Sequence, residues 1–302
     1  MKLFISILFM ALGFSKLAIA GDLTALKQHR WYAGDKDCSD GVKAAPIEIY
    51  QFDIDTYILR QNKCLHYEAP FLYLLFGTEK ALLLDTGAME DVNAFPLFDT
   101  VNNIQKQRAR VLGLEVLELP LIVAHSHSHG DHIAGDGQFN HAKNVTLVPA
   151  KDLPGLKRAF GIKNWPEQEV KIELGQRELT LIPSPGHQNE AVTFYDTKNK
   201  WLITGDNLYP GRLYVRKWQI FKQSITTLVE FSKHHEIKAI LGAHIEMSNI
   251  NGVDYKMGST YHPNEASLVL SKDHLLALHT ELKNLGDKPT KVVKDKFIIY
   301  PL

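Results

Sequence analysis

Residues 125–132 concentrate four histidines and one aspartate within eight positions. The apolar run just before them, residues 121–124, is typical of a buried strand. In an extended backbone alternate residues face the same side, so the first three histidines share one face. Buried imidazoles and carboxylates need partners, and together they suit zinc. The donors exceed what one tetrahedral ion can bind, so the stretch predicts two adjacent metal ions. These donors are His125, His127, His129, Asp131 and His132.

Four other strand-like segments also end in an aspartate or a histidine. Each is a short apolar run that leads into glycine-containing turn residues. Taken alone, Asp85 is equally compatible with turn chemistry. Side chains at strand ends along one rim of a sheet lie close together, so we expect the four to join the histidine-rich stretch. They are Asp85 after residues 81–84, His187 after residues 179–182, Asp206 after residues 201–204 and His244 after residues 239–241.

The rest of the pattern predicts one layered α/β domain. Strand-like runs between residues 47 and 84 indicate an antiparallel meander. Helical spacing marks residues 89–118, 217–235 and 263–285, and strands that alternate with helices favour a layered arrangement. The 302 residues show no repeat or linker, so we predict a single domain over residues 21–302.

The first twenty residues resemble a secretory signal peptide. Met1 and Lys2 provide the positive start, residues 3–14 are almost wholly apolar, and Ala18 and Ala20 form a small-x-small cleavage site before Gly21. The alternative is a membrane anchor, but the apolar run is shorter than the ~20 residues that a spanning helix needs. We therefore expect a periplasmic or secreted protein with no stable membrane insertion after cleavage.

Charge and cysteine content narrow the partners. Lysine plus arginine and aspartate plus glutamate both number 34, so the net charge is zero and nucleic acid is not an expected partner. A small-molecule substrate is expected instead, and no sequence feature indicates an oligomeric state. Cys38 and Cys64 are the only cysteines, and in an exported chain they form a plausible disulfide, with two unrelated thiols as the alternative.

The run from His127 to His132, followed by Gly135, resembles the HxHxDHxxG signature of the metallo-β-lactamase superfamily. The other four strand-end motifs follow in that family's order over residues 81–244. The resemblance implies an α/β fold, the αββα sandwich, in which two mixed β-sheets are flanked by helices. It also implies a dinuclear metal site at one edge of the sandwich.

The resemblance further implies a role for each motif residue and a cofactor of two Zn²⁺ per chain. Asp206 would bridge the two ions, and Asp85 would orient a ligand from outside the coordination sphere. His125 lies before the signature and is not expected to be a ligand. The expected ligands are His127, His129 and His187 for one ion, and Asp131, His132 and His244 for the other.

A site of this type suggests an exported zinc hydrolase in which a metal-bound hydroxide attacks a carbonyl or phosphoryl centre, such as a lactone, lactam or ester. The leaving group would be stabilised by the second metal ion, or by a proton from Asp131 or from water. Tyr209 would face the substrate carbonyl, as in lactonase-like members, or else be a core aromatic residue. Asp206 is similar to the bridging residue of glyoxalase II, lactonases and phosphodiesterases, whereas export disfavours a glutathione thioester substrate. The alternatives are a zinc β-lactamase proper, an iron-dependent sulfur dioxygenase-like enzyme and a non-catalytic binding protein.

Overall fold

The computed structural model describes residues 21–116 and 118–302. The predicted signal peptide of residues 1–20 lies outside this part of the chain. Within the described ranges, no helix combines the length and apolarity needed to cross a bilayer. The strands of the described chain are β1 (Ile47–Asp53), β2 (Thr56–Gln61), β3 (Phe71–Phe76), β4 (Ala81–Leu84), β5 (Leu121–Ala124), β6 (Val145–Leu147), β7 (Val170–Glu173), β8 (Glu178–Pro183), β9 (Val192–Asp196), β10 (Trp201–Gly205), β11 (Arg212–Val215), β12 (Ala239–Gly242), β13 (Val269–Leu270), β14 (Val292–Val293) and β15 (Ile298–Pro301). Its α-helices are α1 (Leu23–Gln28), α2 (Leu97–Leu112), α3 (Gly130–Ile133), α4 (Leu153–Phe160), α5 (Trp218–His234) and α6 (Lys272–Leu285), and residues Ala134–Gln138 form a 3₁₀ helix.

Twelve of the fifteen strands of the described chain form two mixed six-stranded sheets. In the first sheet, β1 to β4 pair antiparallel in chain order, which confirms the predicted meander, and β5 and β6 continue it in parallel. The second sheet has the order β13-β12-β10-β9-β8-β7, in which β10 and β12 run parallel and the other pairs run antiparallel.

The two sheets face each other and helices cover their outer faces. Leu75 and Leu84 of the first sheet share a buried core with Phe194 and Ile203 of the second. Helix α2 buries its apolar stripe on the outside of the first sheet, while α5 and α6 cover the second. Each fully buried aliphatic or aromatic side chain stabilises the fold by about 1.5–3 kcal/mol. The layers are therefore those of the predicted αββα sandwich.

The structure differs from the sequence prediction at the C-terminal third of the chain. A small third sheet, of order β11-β15-β14, was not predicted. The helix predicted over residues 263–285 begins only at Lys272, because Ser271 and His274 form a capping box there. The two residues before Ser271 instead form β13, which pairs with β12.

Strand direction brings the predicted site residues together. Strands β4 and β5 are parallel, so they end at the same edge of the first sheet. Strands β8 and β10 both run antiparallel to β9, and β12 is parallel to β10, so all three end at one edge of the second sheet. The loops after these five strands carry the aspartates and histidines of the sequence motifs.

A buried ion cluster and a disulfide fasten the segments beside this edge. Glu265 accepts two hydrogen bonds from the guanidinium of Arg60, at 2.6 and 2.7 Å, and its Oε1 lies 3.3 Å from Nζ of Lys63. All three side chains are buried. The structure contains the predicted disulfide between Cys38 and Cys64. Residues 33–38 and 62–65 are thereby tied to each other and to the segment that follows β12.

Candidate metal centre

Four donor atoms converge at the ends of β5, β8 and β10. Nδ1 of His129 lies 2.9 Å from Nε2 of His127 and 3.0 Å from Nε2 of His187. Oδ2 of Asp206 lies 3.5 Å from the His187 nitrogen and 3.8 Å from that of His127. We call these four side chains the first donor group, and their donor atoms lie within 4.8 Å of one another.

A second donor group lies beside the first and shares Asp206. Oδ2 of Asp131 lies 3.1 Å from Nε2 of His132 and 3.2 Å from Nε2 of His244. Oδ1 of Asp206 lies 3.6 and 3.3 Å from the same two nitrogens. The two oxygens of Asp206 thus face different donor groups, which is the arrangement that a bridging carboxylate requires.

The donor sets fit metal ions. Zinc–nitrogen bonds of 2.0–2.1 Å in a tetrahedron place neighbouring ligand atoms about 3.3 Å apart, close to the separations in both groups. Oδ1 of Asp206 is buried and has no hydrogen-bond donor among the described residues. A buried carboxylate oxygen without a donor is costly, and a cation held between the facing imidazoles would satisfy it. The residues of each group therefore fit a metal ion such as zinc.

Hydrogen bonds behind the imidazoles fix which nitrogen faces each donor group. Main-chain carbonyls and carboxylates only accept hydrogen bonds, so a nitrogen bonded to one of them carries a hydrogen and leaves the opposite nitrogen free to bind a metal. The contacts are His187 Nδ1 with the Tyr214 carbonyl (2.7 Å), His244 Nδ1 with the Glu68 carbonyl (3.1 Å) and His132 Nδ1 with Oδ2 of Asp85 (2.9 Å). Oγ of Ser126 donates its own hydrogen to Asp85, so it accepts from Nδ1 of His127 at 3.1 Å.

Asp85 lies outside both donor groups and contacts one of their members. Besides His132, its carboxylate accepts hydrogen bonds from the Ser126 amide at 2.7 Å and from Oγ of Ser126 at 2.9 Å. Its backbone is left-handed, with φ of 68°, a conformation that aspartate tolerates better than most residues. His125 points elsewhere, since its Nε2 lies 2.8 Å from Oδ1 of Asp136. His125 is thus a neighbour of the centre and not part of it.

Burial and nearby charges shift the histidine pKa values of the two donor groups in opposite directions. Burial lowers the pKa of His127 and His187, and burial together with the nearby His187 lowers the pKa of His129 to about 4. The first group therefore presents neutral imidazoles with free lone pairs. Burial alone would also lower the pKa of His132 and His244, but the carboxylates around them outweigh it and raise both pKa values. The second group thus holds two carboxylates that stabilise a positive charge on its histidines, and a metal ion would take the place of that charge.

An open cavity of about 310 Å³ gives access to both groups. Tyr67, Glu68 and Arg216 line it together with members of the donor groups. Tyr209 borders it as well, but the residue is 1% exposed and its hydroxyl donates to the Arg212 carbonyl. Its ring lies 5.5 Å from that of His244. A direct role of Tyr209 toward substrate stays a prediction.

Sequence reasoning misses the residues whose contribution is a main-chain atom. The carbonyls of Glu68 and Tyr214 give no side-chain signature, so no motif identifies them. Ser126 lies inside the histidine-rich stretch, and its position next to the donor His127 is the one signal that the sequence offers for it. Tyr67 and Glu68 line the cavity from a loop that carries no metal-binding motif.

Comparison with known proteins agrees with this geometry. Residues 69–244 match the metallo-beta-lactamase superfamily. The chain belongs to this superfamily. The match covers every strand-end motif from Asp85 to His244 and all seven residues of the two donor groups.

Several curated relatives in this superfamily are similar over part of their length. A hydroxyacylglutathione hydrolase of Bdellovibrio bacteriovorus is 28% identical over 142 residues, which cover 46% of this chain and 49% of that protein. One from Chelativorans sp. is 30% identical over 118 residues, covering 37% and 44%. The human acyl-coenzyme A thioesterase MBLAC2 is 24% identical over 169 residues, covering 47% and 59%. The chain thus spans about half the length of these relatives.

Solved structures of the superfamily share the fold. A metallo-beta-lactamase from Pontibacter korlensis superimposes with a TM-score of 0.51 at 16% identity, covering 79% of this chain and 99% of that one. The DIM-1 metallo-beta-lactamase, exposed to ceftazidime, gives a TM-score of 0.52 at 13% identity and covers 81% and 100%. At these identities the likeness concerns the fold alone.

Proposed function

We propose that this protein is an exported hydrolase that holds two zinc ions and cleaves an acyl bond at its carbonyl carbon, with thioesters as the principal substrate class. The observation that carries the proposal is the pair of four-atom donor groups that share the two oxygens of Asp206 at the floor of one cavity.

When bound, two zinc ions would polarise a substrate carbonyl and lower the pKa of water toward ~7. The chain supplies the rest of the chemistry. Its five histidines, Asp131 and Asp206 would supply the donor atoms, and the hydrogen bonds behind His127, His132, His187 and His244 would hold these four rings in orientation. The carboxylate of Asp131 borders the cavity, so it is placed to accept a proton from the attacking water and return it to the leaving group.

The cavity rim suits an acyl group on an anionic carrier. Met257 and Leu302 line the rim and are 56% and 64% exposed, and such exposed apolar groups favour contact with an apolar acyl chain. The guanidinium of Arg216 also lines the rim, and in the described part of the chain it has no ion-pair partner. The names of the curated relatives point to thioesters, whose thiol parts, glutathione and coenzyme A, are both anions.

Export is the second element of the proposal. The Cys38–Cys64 disulfide is the kind of bond that persists in an oxidising compartment. This supports the predicted signal peptide at residues 1–20, and with it a periplasmic or secreted location. Because export disfavours a glutathione thioester as the natural substrate, thioesters of other thiols need to be tested beside it.

Metal content and substrate preference test the function together. We expect about two zinc per chain by mass spectrometry, and faster hydrolysis of S-lactoylglutathione and butyryl-coenzyme A than of a β-lactam, a lactone, an oxoester or a phosphodiester. Chelation should lower the thioesterase rate about 10³-fold and added Zn²⁺ should restore it, because Lewis-acid stabilisation is worth several kcal/mol. One iron per chain with oxygen consumption would instead indicate the dioxygenase, and a preference for the β-lactam would indicate a lactamase.

A substitution of Arg216 tests whether the protein recognises the anionic thiol part of a thioester. Arg216→Ala should raise KM for butyryl-coenzyme A about tenfold with little change in kcat, since a hydrogen bond to a charged group contributes about 1.5 kcal/mol or more. Lys217→Ala is the matched control, because Lys217 is the next residue, is also exposed and does not line this cavity. An equal effect of the two substitutions would contradict recognition of the carrier by Arg216.

A further inference from the structure

The connection between β2 and β3, residues 62–70, positions one member of the second donor group. The Glu68 carbonyl in this connection accepts a hydrogen bond from Nδ1 of His244 at 3.1 Å. On the opposite side of the ring, Nε2 of His244 faces Asp131 and Asp206 at 3.2 and 3.3 Å. If this carbonyl moved, the His244 ring would therefore lose the hydrogen bond that fixes its orientation.

The other back-side acceptors are held by regular structure, and this one is not. Tyr214 lies within β11, while Asp85 and Ser126 follow directly on β4 and within two residues of β5. Glu68 lies seven residues beyond the end of β2 and three before β3 (68 − 61 = 7; 71 − 68 = 3). Residues 62–69 form successive turns, such as Leu65 N–H to the Asn62 carbonyl. The orientation of His244 thus depends on an irregular segment.

Two contacts tie the middle of this segment to other parts of the fold. Lys63 reaches the buried Glu265, and Cys64, four residues before Glu68, forms the disulfide with Cys38. The segment around Cys38 is itself anchored, because the Asp35 carbonyl accepts a hydrogen bond from Oγ1 of Thr260 at 2.8 Å. The disulfide therefore links the connection covalently to an anchored part of the structure.

We propose that the Cys38–Cys64 disulfide is a positioning element for the second donor group. It holds the Glu68 carbonyl against His244, so the affinity of this group for its metal ion depends on the disulfide. The first donor group takes nothing from residues 62–70 and is independent of it. The inference rests on the proposed dinuclear function, and it makes disulfide formation a condition for full metal loading.

Stepwise zinc binding tests the inference without any activity assay. In Cys38→Ser/Cys64→Ser we expect the second dissociation constant for Zn²⁺, measured by chelator competition, to rise about 10–100-fold, which is typical when a ligand loses its orienting partner. The first constant should stay within about threefold of wild type, because the first group is untouched. A merely structural disulfide would weaken both constants together, and this result or two unchanged constants would overturn the proposal.

Leu278→Ala provides the control for general loss of stability. Leu278 is fully buried in α6, away from residues 62–70, so this variant should melt at a lower temperature with both zinc constants unchanged.

If the double serine variant does not fold, the zinc-loaded wild type is reduced with a phosphine and alkylated with iodoacetamide. Release of one zinc supports the proposal, and retention of both overturns it. A wild type that binds fewer than two zinc contradicts the dinuclear function itself, whereas an unaffected variant of a two-zinc wild type contradicts only the role of the disulfide.

Discussion

Asp206→Ala is expected to reduce metal content from about two zinc per chain toward one and to lower the hydrolytic rate by about 10³-fold. Asp206 is the side chain shared by the two donor groups, with one oxygen facing each. Its removal leaves three histidines in the first group, which is a known zinc-binding set, so one ion should remain. The second group loses the oxygen that lies 3.3 Å from His244 and should hold its ion poorly.

Metal content by mass spectrometry and the rate on the best thioester, both in the same zinc buffer, check this result. Asp152→Asn is the matched control, because it also removes one carboxylate charge, but from an exposed side chain that pairs weakly with Arg158 at the surface. The control should keep both ions and the wild-type rate. Unchanged zinc stoichiometry in Asp206→Ala would contradict a bridging role for this residue.

Glu265→Gln should lower the free energy of unfolding by about 3–5 kcal/mol at pH 7. Glu265 is the counter-ion of Arg60 and Lys63, whose side chains are 2% and 1% exposed. Glutamine keeps the shape of the side chain but leaves two buried cations without a negative partner. His262, whose Nδ1 lies 3.1 Å from Oε1 of Glu265, cannot supply negative charge.

The loss of stability caused by Glu265→Gln should become smaller as the pH falls. Burial alone would raise the pKa of Glu265, but Arg60 and Lys63 outweigh burial and lower it to about 2. A folded-state pKa below the unfolded value means that the carboxylate stabilises the fold fully above about pH 4.5, and that this stabilisation is lost as pH falls toward 2. The difference between wild type and Glu265→Gln should therefore narrow over that interval.

Urea unfolding of the metal-free proteins, followed by circular dichroism from pH 7 to pH 3, measures both parts of this prediction. Glu118→Gln is the control, since Glu118 pairs with Lys106 at the surface and its loss should cost less than about 1 kcal/mol. If the difference in unfolding free energy between wild type and Glu265→Gln instead widened in acid, the charge of Glu265 would not be what stabilises the cluster.

The short-range parts of the fold could be predicted from sequence. The strands β1 to β5 were predictable because their apolar runs are bounded by turn residues, and a strand needs only a few positions to show its pattern. The prediction of a helix over residues 263–285 was wrong for the residues before Lys272. Buried leucines in an irregular segment can have the same spacing as the apolar face of a helix. There the pairing of Val269 and Leu270 with β12 outweighs local preference.

The third sheet was unpredictable for a related reason. Strand β11 pairs in parallel with β15, more than eighty residues further along the chain (298 − 212 = 86). Strand β14 has only two residues. Segments this short or this distant show no periodicity of their own, so only the folded partner reveals them as strands.

The sequence by itself identified the candidate donor residues of both groups, because they follow strand ends and strand and turn patterns are local. It determined equally the superfamily and the order of its motifs. Only the tertiary structure decided what holds these ligands in place: the carbonyl of Glu68 behind His244, that of Tyr214 behind His187, and the pairing of Arg60 with Glu265. The physical reason is that carbonyl acceptors are common to every residue, and partners far apart in the chain meet only after the sheets have packed.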